Sequence, residues 1–124
     1  MREISDKEKR ESVNSYQSTI RKMEKALAEM QRKDANTTLV SKRLESLRIG
    51  LAVIEYAWYG KTLEYRVEEL IKAREILSGL MPSLESAYEK SKEGSPQRTL
   101  LERRIGSIRQ SISIIQHHIV RAEL

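Results

Sequence analysis

The chain has 124 residues, enough for one domain with a core and too few for two. A third of it is charged, 5% is aromatic, and only two prolines and five glycines punctuate it, which argues for long amphipathic helices and against a sheet-rich domain. The absence of cysteine rules out disulfides and thiolate metal sites, while the net charge of +5 leaves an acidic partner open.

The first helix is expected over residues 5–33. It opens with Ser5 and Glu8, an S-x-x-E capping box in which the hydroxyl accepts an orphan amide and the carboxylate reaches back. "MREISDKEKRES" contains no apolar segment of the kind a cleaved signal needs, so none is expected. Nor does any apolar run approach the ~20 residues of a membrane crossing. A cytoplasmic protein is the expectation.

The second helix is expected over 35–59, with Asp34 as its cap. Val40, Leu44, Leu47, Leu51, Ile54 and Trp58 recur at alternating spacings of four and three, the seam of a coiled-coil-like packing. A second stripe, Ile49, Val53 and Tyr56 with Ala52 and Tyr59 beside it, makes this helix apolar nearly all round. A single bundle core does not bury both faces of one helix. These five residues are therefore the candidate protein interface, unless the third helix wraps over them.

The helix ends where the chain reads "VIEYAWYGKTLEY", which holds four of its six aromatics. Trp58-Tyr59-Gly60 resembles, over those three residues, the turn motif of the Trp-X-Gly family of small secreted helical hairpins, which would imply export. That family's C-terminal Tyr-x-x-x-Asp/Glu signal has no counterpart in a tail here. Tyr88 is followed four residues on by Lys92, and Tyr65 to Glu69 opens a helix. Trp58 is read instead as the last residue of the core seam, with Gly60 as the left-handed residue that stops the helix.

The third helix is expected over 63–92, starting after Thr62. Pro82 removes an amide donor and clashes with the carbonyl of Ser78, and Gly79 loosens the same turn, so a kink or a break is expected there. Gly94-Ser95-Pro96 supplies stop, cap and first-turn proline for a fourth helix over 96–121.

Sliding the chain along itself brings the halves into agreement at an offset of 61. "LVSKRLESLRIGLAVIEYAW" lies over "LLERRIGSIRQSISIIQHHI", with Leu39/Leu100, Arg43/Arg104, Ser46/Ser107, Arg48/Arg109 and Ile54/Ile115 identical. The seam of the second half, Leu101, Ile105, Ile108, Ile112, Ile115 and Ile119, keeps the phase of the first. The fold expected is all-α: one domain, an up-down-up-down four-helix bundle made of two duplicated antiparallel hairpins, 5–59 and 63–121.

Chemistry is sparse. His117 and His118 are adjacent, so on a helix they point about 100° apart and do not chelate one metal together. His118-Ile119-Val120-Arg121 resembles the H-x-x-K/R of histidine phosphotransfer bundles, but it lies at the chain's end and precedes Ala122 where that family has glycine. No glycine-rich phosphate loop occurs, and no cofactor, metal or small-molecule substrate is expected. Residues 95–124 carry five bases against two acids, so Arg98, Arg103, Arg104 and Arg109 are the candidate phosphate contacts. No aromatics interleave them for base stacking. The expectation is a non-enzymatic interaction protein, a regulator or adaptor that self-associates or binds a protein partner. The alternative is a basic bundle that binds nucleic acid without sequence preference.

Overall fold

A computed structural model describes residues 3–122, and within them the chain forms four helices and no strand. They are α1 (Asp6–Arg32), α2 (Thr38–Tyr59), α3 (Val67–Lys90) and α4 (Pro96–Ala122). Together they pack as a four-helix bundle around one continuous apolar core.

The helix ends follow local chemistry. Ser5 Oγ accepts the Glu8 amide at 3.1 Å, and Ser95 Oγ accepts the Arg98 amide at 3.1 Å. Gly60 and Gly94 hold positive φ, 69° and 79°, which a side chain would resist.

Two expected boundaries are corrected. Asp34 does not cap α2. It sits beyond the end of α1 at φ 55°, where its amide meets Gln31 O at 3.2 Å and the Ala35 amide meets Met30 O at 2.9 Å. That is a Schellman closure with aspartate where glycine usually stands. Asn36 Oδ1 instead accepts the Thr38 amide, at 3.0 Å. Likewise α3 begins at Val67 and not after Thr62, because Glu69 Oε1 reaches back to the Arg66 amide at 3.0 Å. The intervening segment lays Leu63 and Tyr65 against the core.

Of the kink or break expected near Pro82, the break does not occur: α3 runs continuously from Val67 to Lys90 with Pro82 inside it. Ser78, Gly79, Pro82 and Ser83 are all exposed, so the missing amide and the carbonyl it would have served lie on the water side.

The arrangement of the helices explains why α2 is apolar nearly all round. α2 packs against α1, α3 and α4, whereas no Cα atoms of α1 and α3 come within 8 Å. In cross-section the bundle is a rhombus with α2 and α4 on its short diagonal. Small buried residues line this diagonal: Ser46 and Gly50 on α2, Ser107 and Ser111 on α4. Ser107 and Ser111 satisfy their hydroxyls on their own helix, donating to Arg104 O at 2.9 Å and Ile108 O at 2.8 Å. Tyr16 of α1 fills the room that Gly50 leaves, for a Cβ there would stand 2.8 Å from Tyr16 Cζ.

Two outcomes follow for stability. Gly50→Ala should destabilise the protein by about 1–3 kcal/mol, read from urea midpoints, since the methyl and the Tyr16 ring need the same space. Asp34→Gly should stabilise it by about 0.5–1 kcal/mol, because relief from the left-handed conformation outweighs the added flexibility of the unfolded chain.

Candidate functional site

The five residues expected to form a protein interface do not stay together. Ile49 and Val53 are 4% and 1% exposed and belong to the core, because a helix on the short diagonal has partners on three sides. Ala52 is half-buried. Tyr56 and Tyr59, 39% and 50% exposed, remain at the surface on the last turns of α2. The Tyr56 ring meets His118 of α4 edge-on, with centroids 5.8 Å apart, so the C-terminal ends of α2 and α4 lie side by side. Val120 is exposed on the same end of α4, and Trp58 packs against the core while remaining half-buried.

All four candidate phosphate-binding arginines have partners that the sequence did not disclose. Arg98 lies over the Tyr88 ring, 4.1 Å from its centroid, and donates to Ser91 O at 3.0 Å. Arg109 pairs with Glu85 at 3.0 Å. Arg48 and Glu24, each 61 residues earlier, make the same pair at the same distance. Arg103 is held loosely, 3.6 Å from Glu11. Arg104 is different. Its Nε donates to Thr19 Oγ1 at 2.9 Å, it forms no ion pair among the described residues, and burial pulls its pKa down.

Two grooves lined by both α1 and α4 flank the fourth helix. The larger, about 800 Å³, lies between α1 and α3 and is lined by Glu8, Glu11, Glu85, Glu89 and Glu102, with Arg103 and Arg109 among them. It opens where Gly106 stands. The corresponding position 61 residues earlier is Glu45, and Ile4 likewise corresponds to Tyr65, whose pKa is raised by burial and by Glu45 and Glu69 nearby. The smaller groove, about 300 Å³, lies between α1 and α4 and gathers Asn14, Ser15, Ser18 and Arg21 with Leu100, Arg103 and Arg104. Sequence reasoning passed over the α1 members of this set. The signal available was divergence between the halves: 61 residues on stand Glu75, Ile76, Gly79 and Pro82.

Among the described residues no group of three or more His, Asp or Glu side chains is placed to hold a metal ion. No helix there is long and apolar enough to cross a membrane. No family model, curated protein or solved structure shows significant similarity to the chain.

One polar contact is fully enclosed. Tyr16 is 1% exposed, and its hydroxyl meets Ser111 Oγ. Because Ser111 spends its proton on Ile108 O, Tyr16 is the donor. Burial pushes the Tyr16 pKa far above the usual phenol value of about 10. The folded state thus keeps a proton that the unfolded chain releases above about pH 10, so this contribution is complete below that pH and is lost as pH rises beyond it. Tyr16→Phe should flatten the alkaline fall in stability between about pH 10 and pH 12, measured by chemical denaturation at each pH. An identical alkaline limb in the variant would assign the loss to other groups.

Proposed function

We propose that the protein is a non-enzymatic helical-bundle interaction module, acting in the cytoplasm as a regulator or adaptor, and that it contacts a protein partner or a second copy through the C-terminal ends of α2 and α4. The supporting observation is the exposure of Tyr56 and Tyr59, one helical turn apart on α2. Exposed tyrosines with an apolar neighbour favour protein contacts, since each ring offers a large contact area at low cost in side-chain freedom. With Ile49 and Val53 inside the core, the contact is smaller than the sequence suggested and centres on Tyr56, Tyr59 and Val120. The repeated seam and the paired Glu24–Arg48 and Glu85–Arg109 contacts agree with descent from a duplicated hairpin.

A basic bundle bound to nucleic acid without sequence preference is the second reading. The net charge of +5 and the partly unpaired Arg103 and Arg104 favour it. Arg98 and Arg109, engaged within the fold, leave it fewer contacts.

The Tyr56→Glu substitution tests the first reading. Its side chain faces water, so the helical spectrum and cooperative melting should persist while association, read as mass in solution or retention of the partner, is lost. Association that survives both Tyr56→Glu and Tyr59→Glu, or a native protein that stays monomeric and captures nothing, would refute it.

A further inference from the structure

The groove between α1 and α4 contains an arrangement that the protein-contact reading does not use. Asn14, Ser15, Ser18 and Arg21 share one face of α1, at spacings that place them on successive turns. Arg103 and Arg104 face them from α4. The side chains of Asn14, Ser15, Ser18 and Arg21 make no hydrogen bond or ion pair among the described residues, so their donors remain available. Thr19 Oγ1 gives its proton to Ser15 O at 2.8 Å and must therefore accept from Arg104, which fixes the direction of that guanidinium. Three arginines against Glu11 alone leave the groove with a net charge of about +2. Helix surfaces seldom leave a half-buried arginine without an acid partner.

We infer that this groove binds the phosphate group of a small phosphorylated molecule, with Arg21, Arg103 and Arg104 matching its charge and Asn14 and Ser18 donating to its oxygens. Guanidinium forks match phosphate geometry, and hydroxyl and amide donors complete its shell. A dianion suits the net charge better than a single carboxylate does. A long polyanion fits poorly, since the glutamate-lined groove on the other side of Arg103 would repel its continuation. Leu100, exposed at the rim, offers an apolar surface to whatever carries the phosphate. The α1 donors are not repeated in the second half of the chain: the positions 61 residues after Ser18, Thr19 and Arg21 hold Gly79, Leu80 and Pro82.

Inorganic pyrophosphate, titrated into the whole protein at low ionic strength, provides the test, read by calorimetry and by nitrogen-15 NMR that includes the Arg104 Nε–H. One-site binding is expected, with shifts confined to residues 14–21 and 100–104. Arg21→Ser and Ser18→Asp, both at exposed positions, should each weaken it at least about tenfold with melting unchanged. Acetate should bind far more weakly, and Tyr56→Glu should leave the titration intact. Absence of binding, an affinity untouched in both groove variants, acetate binding as tightly as pyrophosphate, or a polynucleotide that binds and is not displaced by pyrophosphate would each overturn the inference.

Discussion

The close approach of α2 and α4 governs the rest of the structure. It requires that Ser46, Gly50, Ser107 and Ser111 carry almost no bulk, and that the enclosed hydroxyls of Ser107 and Ser111 find partners without reaching across the interface. The i−3 carbonyls of α4 meet the second requirement. Tyr16 then enters the remaining space from α1 and reaches Ser111 over Gly50. Once α2 and α4 touch, α1 and α3 are held apart, and both outer grooves lie along the flanks of α4. A central void is avoided at the expense of packing tolerance, for an added methyl at Gly50 has nowhere to go.

The charged residues divide into those used within the fold and those left over. Glu24–Arg48 and Glu85–Arg109 each tie the two helices of one hairpin together at 3.0 Å. Both pairs are exposed, so each adds little to stability, up to about 1 kcal/mol, and serves more to favour one alignment of the hairpin. Arg98 is fixed over Tyr88 and closes the α3–α4 turn. In the cluster of Arg21, Arg103 and Arg104, positive charge exceeds its local partners, Glu11 and Thr19.

Much of the architecture was legible in the residues because its causes are local or periodic. Ser5 with Glu8, Gly60, and Gly94-Ser95-Pro96 act within one turn of themselves, and the seam residues of α2 and α4 repeat at helical spacing. The misreadings have non-local or competing causes. Asp34 suits an N-cap as well as a left-handed turn, and the Ala35–Met30 closure decided between them. Arg66 gives no sign of being a cap, since it is the Glu69 carboxylate reaching back that makes it one. Ile49 and Val53 looked like a surface because a helix was assumed to have one buried face. The number of neighbours around α2 depends on how the hairpins pack, which a single helix does not encode. The arginine partners come from other helices and were out of reach for the same reason.

The position of Trp58 has a practical consequence. It is the only tryptophan, half-buried against the core on the turn of α2 between Tyr56 and Tyr59. Indole emission is sensitive to the polarity around the ring, and this ring lies where the core meets the surface. One intrinsic fluorophore therefore reports on two separate events, loosening of the bundle and the arrival of a molecule at its aromatic end, without any attached label. The two are separable by direction: loosening admits water to the indole and shifts its emission to the red, while docking excludes water and shifts it to the blue.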